Sequence, residues 1–313
     1  MQTIPLGKSS LKVSRLAYGC WRLSGAVNPA DVTPDLRAAA ARALATAWEA
    51  GYTLFDTADI YGRGEAERLL GAALKEIPGM RERIAIATKA GVRPLDIPPG
   101  APHRWELSAS HILESCEGSL RRLGVETVDV LMLHRPDYLV DPDEVAGAFE
   151  TLARSGKVRF FGISNFRPSL AAAMQAACPM PLIVHQVEIS LARLDAFNDG
   201  TLDQCLERKM TPMAWSPLAG GLIGGGARRL MPLQQLYRPE LFLPALETIA
   251  KARGADRTAV ALAWLMKHPA KIIPIVGSNN PDRIRQAVKA TELEVTREEW
   301  YELLKAARGA PLP

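Results

Sequence analysis

Asp56 and Tyr61 stand five positions apart in GYTLFDTADIYGRGEAE, residues 51–67, where an apolar run gives way to a polar turn. A carboxylate and a phenol at that separation could take part in proton transfer, and Gly62 and Gly64 would let the backbone of the turn approach a ligand closely. Alone, the pair has a plainer explanation: an acid that helps cap the turn and a ring that covers an edge, because most polar residues beside turns serve the backbone. Two residues at equivalent places change that weighing. Lys89 stands near the end of RIAIATKAG, and His134 directly follows the apolar run of VDVLMLHRPD. A phenol of ordinary pKa, about 10, is a poor proton donor at neutral pH unless a neighbour changes it. A buried ammonium beside it would stabilise the phenolate and lower that pKa. Asp56 could hold the lysine charged, and His134 could hydrogen-bond the same reacting oxygen.

These groups meet only if the elements that carry them converge. After a small hairpin, expected over residues 3–5 and 11–13, apolar β-compatible runs recur in order: RLAYGCW, YTLFD, RIAIATKAG, VDVLMLHRPD, VRFFGISNF, PLIVHQVEIS, MTPMAWSPLAGG and KIIPIV. Helical stretches intervene. PDLRAAAARALATAWEA is Ala-rich, with Pro early and Gly51 just past its end, and GEAERLLGAALKE repeats Ala66, Leu69, Leu70 and Leu74 at helical spacing. In SASHILESCEGSLRRLG, Ser108 or Ser110 can cap and Gly124 can terminate. DPDEVAGAFETLARSGK, PSLAAAMQAA, LDQCLERK, a helix from Pro281 and a closing REEWYELLKAARG complete the pattern.

Strands alternating with helices predict parallel strands joined by crossovers, most economically a (β/α)8 TIM barrel with an N-terminal β-hairpin and an extra C-terminal helix. An open doubly wound sheet is disfavoured because no G-x-G-x-x-G follows the first strand and polar residues mark many strand ends. Two domains are disfavoured because no linker divides the chain, so residues 1–313 read as a single domain. In a barrel every strand ends at the same mouth, which gathers Asp56, Tyr61, Lys89 and His134.

Composition narrows the function. The chain is 48% hydrophobic and 23% charged with a formal net charge of +4, and its Lys and Arg residues are dispersed among acids, so a nucleic-acid partner is not expected. Cys20, Cys116, Cys178 and Cys205 form no C-x-x-C pair, which fits a reduced cytoplasmic interior and no metal site. No apolar stretch of about 20 residues predicts a membrane span. Nothing in the sequence specifies an oligomer.

With FDTADIYG, ATKAG, LHRPD and GISNF in this order, the chain resembles the aldo-keto reductase family over nearly its whole length. The resemblance implies that Asp56, Tyr61, Lys89 and His134 form a catalytic tetrad reducing aldehydes or ketones with NADPH, Tyr61 being the general acid. It places Gly19, Trp21 and Asp56 against the dinucleotide, with Ser164, Asn165 and Gln186 on the nicotinamide carboxamide. Trp215 would stack on the ring, with Ser216 and Pro217 also against the dinucleotide, and backbone N–H groups of Leu218 and Gly220 could meet the pyrophosphate. Gly224 to Gly226 then read as a flap. AGGLIGGG is not a P-loop, since no G-K-[ST] follows.

In GSNNPDR, Ser278, Asn279 and Arg283 suit an anion at the start of a helix, where a guanidinium can grip a phosphate in bidentate fashion. This resembles the family's 2′-phosphate clamp, to which Gly277 and Gln286 are added. Gly277 stands where many members carry a lysine, and Ala287 where many carry an asparagine. NADP(H) is therefore favoured with a weakened grip, leaving room for some use of NAD(H). Trp21, Ile60, Tyr61, Trp105 and His134 would line the place of a small-molecule carbonyl substrate. Two other readings stand beside this one: an NADPH-binding regulatory subunit with little turnover, resembling potassium-channel β-subunits, and an aldolase or isomerase using Lys89 as a Schiff base.

Overall fold

In the computed structural model, which describes residues 1–225 and 232–312, the chain opens with an antiparallel hairpin, β1 (Thr3–Pro5) and β2 (Lys12–Ser14), in which Thr3 faces Ser14. The expected second strand is thus displaced by one residue. Of the glycine flap expected at 224–226, Gly226 lies outside the described residues.

β3 (Ala17–Gly19), α1 (Pro34–Glu49), β4 (Leu54–Asp56), α2 (Glu65–Glu76), a short α3 (Met80–Arg83) and β5 (Ala85–Ala90) follow. The Pro-rich loop after β5 is closed by a two-strand clip, β6 (Val92–Arg93) with β7 (Arg104–Trp105). Then come α4 (Ala109–Leu123), β8 (Val128–Leu133), α5 (Pro142–Arg154), β9 (Val158–Ser164), α6 (Pro168–Ala177), β10 (Leu182–Glu188), α7 (Thr201–Arg208) and β11 (Thr211–Trp215). The chain ends with α8 (Pro239–Ala252), α9 (Arg257–Lys267), β12 (Ile273–Val276), α10 (Pro281–Val288) and α11 (Arg297–Arg308).

Eight strands form a closed parallel barrel in the order β3, β4, β5, β8, β9, β10, β11, β12, with helices between them, as the sequence pattern predicts. Both faces of such strands are covered, so they read as continuous apolar runs. Every residue of β5 and β8 is buried. Leu6 and Val13 of the hairpin region join Leu54, Met132, Met213 and Ile273 in the cluster that fills the barrel, which plugs the end opposite the strands' C-termini. A side chain at Gly7, whose φ is +57°, would collide with the Ile183 carbonyl, so the plug's turn requires glycine.

Caps set the helix limits. The Ser108 side chain accepts a hydrogen bond from the His111 amide to start α4, and Gly124 ends it in the left-handed region at φ 67°. Of the two serines expected to cap there, Ser108 does so.

The segment between β11 and β12 adds to what the sequence pattern predicts. Its crossover is α9, while α8 is a second extra helix that packs on α11. Trp264 and Trp300 lock this layer. Their rings stack at 5.3 Å, and each indole N–H donates 3.0 Å to the other residue's carbonyl oxygen.

Candidate active site

Local geometry raises the four polar groups to one rim. Asp56 is the last residue of β4, Lys89 is the penultimate residue of β5, and His134 follows β8 directly. In the sheet register Asp56 faces Ala87, two residues before Lys89, so the lysine side chain can reach back to the carboxylate. The loop after β4 stays pinned to β5, since the Thr57 amide donates to the Ala87 carbonyl at 2.8 Å and that of Asp59 to Lys89 at 3.3 Å. Tyr61 then opens a turn in which Gly62, Arg63 and Gly64 all take positive φ, at 56°, 52° and 87°. Three left-handed residues in succession return the chain sharply into α2, and Arg63 bears the strain that glycine would not.

The Lys89 ammonium is fully buried and has three kinds of partner. It lies 2.8 Å from Asp56 Oδ1, donates 2.7 Å to the Thr57 carbonyl, and stands 3.0 Å from Tyr61 Oη. Gln186 Nε2 donates to Asp56 Oδ1 at 2.7 Å. The His134 ring meets the Tyr61 ring edge-on at 5.7 Å.

Burial alone would lower the Lys89 pKa, but Asp56 and Tyr61 together outweigh it and hold the amine above its ordinary value, firmly charged. Tyr61 departs from expectation. Its pKa is raised because burial exceeds the lowering by Lys89, so the phenol stays protonated. Burial, and then the charges of Lys89 and Arg135, push His134 well below its ordinary value and keep it neutral. The arrangement is therefore a neutral phenol and a neutral imidazole beside a charged amine. It can donate hydrogen bonds, and one proton, to an oxygen at the mouth.

The residues expected around a dinucleotide lie along the same rim. Ser164 and Gln186 are buried at the ends of β9 and β10. Asn165, at φ 63°, donates to Ser164 Oγ at 2.8 Å and accepts from the Trp215 indole at 2.9 Å. Past Trp215, positive φ at Ser216, Ala219, Gly220 and Gly221 coils the backbone around Pro217 and Leu218, a conformation in which successive N–H groups can face an anion.

Gly19 and Gly277 form a bare floor. A Cβ at Gly277 would meet only the Gly19 carbonyl oxygen, at 3.5 Å, whereas one at Gly19 would press to 2.7 Å on Ile275. The Tyr18 hydroxyl donates 3.0 Å to the Ser278 carbonyl, and Asn279 Nδ2 donates 2.7 Å to the Arg22 carbonyl while its buried Oδ1 has no partner among the described residues. Asn280, which the sequence did not single out, caps α10. Arg283 is exposed with no ion-pair partner among the described residues, and Gln286 is tied to Asp256 at 2.8 Å. A left-handed backbone cradle and an unpaired guanidinium fit the phosphates of a dinucleotide, whereas the orphaned Asn279 amide oxygen can only accept, from a hydroxyl or amine.

The expected substrate residues separate. Ile60 sits beside Tyr61, whereas Trp21 is half exposed under the Arg22 guanidinium, and Trp105 packs on Tyr138 at the outer rim. The sequence did not single out Arg135, whose guanidinium lies 5.7 Å over the Trp215 ring. Nor did it single out Glu188, which accepts from the Tyr237 hydroxyl, or Gln234, which donates 3.2 Å to Ser216 Oγ. Arg135 was readable inside HRPD. The contacts of Tyr237 and Gln234 span too much chain to carry a local signal.

Among the described residues no helix is long and apolar enough to cross a membrane. The sequence model of the Aldo/keto reductase family matches residues 15–308. The chain is 40% identical to a 6-dehydroglucose reductase of Agrobacterium fabrum, over 99% of each chain. It is 32% identical to a putative voltage-gated potassium channel subunit beta of Schizosaccharomyces pombe, over 92% of this chain and 87% of the other. Among solved structures, the glycerol dehydrogenase of Gluconobacter oxydans superposes with a TM-score of 0.85 at 27% identity, over 99% of this chain and 97% of that one.

Proposed function

The chain belongs to the aldo/keto reductase family of oxidoreductases, and from that premise we propose that it reduces small aldehydes or ketones to alcohols, with NADP(H) as dinucleotide and Tyr61 as general acid. The observation that carries this reading is the 3.0 Å contact of the buried Lys89 ammonium with the Tyr61 oxygen, backed by Asp56 at 2.8 Å from the same nitrogen. When bound, the reduced dinucleotide supplies a hydride to the carbonyl carbon. Tyr61 gives its proton to the carbonyl oxygen, and Lys89 offsets the charge of the phenolate that remains. The neutral imidazole of His134 donates a hydrogen bond to that oxygen, and Asp56 keeps Lys89 cationic. Ser164, Asn165 and Gln186 would hold the carboxamide, and Trp215 would face the ring. Arg283 with the start of α10 would hold the 2′-phosphate, with Gly277 leaving that grip weaker.

Relatives named 6-dehydroglucose reductase support a hydroxylated, sugar-derived aldehyde as substrate. The four cysteines, free and buried, support a reducing cytoplasmic setting. The test is to follow oxidation of NADPH and of NADH against aldehydes, ketones and sugar-derived carbonyls. Turnover with NADPH is the expected result, and tight NADPH binding without turnover on any of them would sink the proposal. That outcome would favour the second reading, a regulatory subunit, which the 32% identity to a putative channel β-subunit supports.

A further inference from the structure

We infer that Arg135 is a specificity residue that selects carbonyl substrates bearing a carboxylate, an inference that rests on the reductase reading and deepens it. Arg135 follows His134, and its charge acts on both the His134 ring and the Tyr61 phenol, so a group it grips lies near the oxygen that those two would bind. Its side chain is mostly enclosed, yet no hydrogen bond or ion pair engages the guanidinium among the described residues. The contact it has is with the Trp215 ring, 5.7 Å from the guanidinium carbon. A cation over an aromatic face is stabilised less than the loss of water costs it. Enclosed arginines are ordinarily paired, and here burial lowers the pKa of the group.

Glu188 acts on Arg135 through its charge but makes no hydrogen bond or ion pair with it, its oxygens being engaged elsewhere. Glu188 accepts from the Tyr237 hydroxyl, and its other oxygen lies 4.0 Å from Arg193. Other cations of the outer rim are compensated, since Arg104 and Arg93 both lie on Glu106, at 3.5 and 3.1 Å. Arg135 thus has guanidinium donors without a hydrogen-bond partner among the described residues, and a guanidinium's planar fork matches a carboxylate in bidentate fashion. The same charge already acts on the site, lowering both Tyr61 and His134.

The test compares each of two acids with its own methyl ester, 4-carboxybenzaldehyde and succinic semialdehyde, as substrates of the whole protein with NADPH. The ratio of kcat/KM for acid over ester is read, so that general effects cancel. The wild type should favour an acid by about tenfold or more, Arg135→Met should bring the ratio to near one, and Arg135→Lys should restore part of it. Calorimetry with 4-(hydroxymethyl)benzoate and its methyl ester reads the same preference without turnover. If no aldehyde is reduced but the wild type binds the acid better and Arg135→Met does not, the reductase proposal fails and this one stands. Equal handling of acid and ester by the wild type, or a preference that survives Arg135→Met, would overturn it.

Discussion

Lys89 and Tyr61, 28 positions apart in the chain, meet with 3.0 Å between ammonium nitrogen and phenolic oxygen. That contact places a fixed positive charge where a phenolate would form. It also explains why the lysine must stay protonated, and hence why Asp56 lies buried behind it.

Tyr61→Phe removes the proton donor and keeps the ring that packs beside His134. Carbonyl reduction should fall by about 10² to 10⁴-fold, while the NADPH dissociation constant measured by fluorescence stays within about twofold. Comparable rates in the mutant and the wild type would reject Tyr61 as the acid.

Lys89→Met leaves the Asp56 carboxylate, 3% exposed, with only the Gln186 amide on its Oδ1 among the described residues. Stripping one partner from a buried pair costs about 3–5 kcal/mol, which urea denaturation should register. Asp56→Asn added to Lys89→Met should recover part of that loss. Strictly additive losses in the double mutant would show that the two residues are not coupled.

His185 lies fully buried in β10, and burial pushes its pKa down to about 4. The folded protein therefore resists a proton that the unfolded chain accepts at about 6.5. Stability from this group is complete above pH 6.5 and is lost as the pH falls towards 4, on the order of 3 kcal/mol across the window. Unfolding midpoints between pH 7 and pH 4.5 should fall in the wild type and fall less steeply in His185→Gln. Parallel slopes would disprove the assignment.

Arg283 and Gly277 should govern the choice of dinucleotide. Arg283→Gln should weaken NADPH by about tenfold with little effect on NADH. Gly277→Lys has room, since its Cβ would meet the Gly19 carbonyl oxygen at an ordinary 3.5 Å, and it should tighten NADPH selectively. An equal shift in both dinucleotides would place these residues away from the 2′-phosphate.

Much of the barrel is legible locally. Strands such as AIATKA and VDVLML are apolar throughout because both faces are covered, and the Ser108 cap and the Gly124 stop of α4 are written in adjacent residues. Barrel topology then brings Asp56, Lys89 and His134 to one mouth without knowledge of any contact, because parallel strands all end on the same side. What the tertiary structure alone decides is how the charges balance there. Tyr61 is raised, not lowered, because burial sums over every atom around the ring while the Lys89 charge is one contribution among them. Gln186 reaches Asp56 across 130 residues, and Arg135 feels the Glu188 charge without a direct hydrogen bond to it, while Glu188 is engaged by Tyr237 from another segment. Periodicity is a property of neighbours along the chain and survives in the sequence. Desolvation and charge pairing depend on distances between segments that only folding brings together.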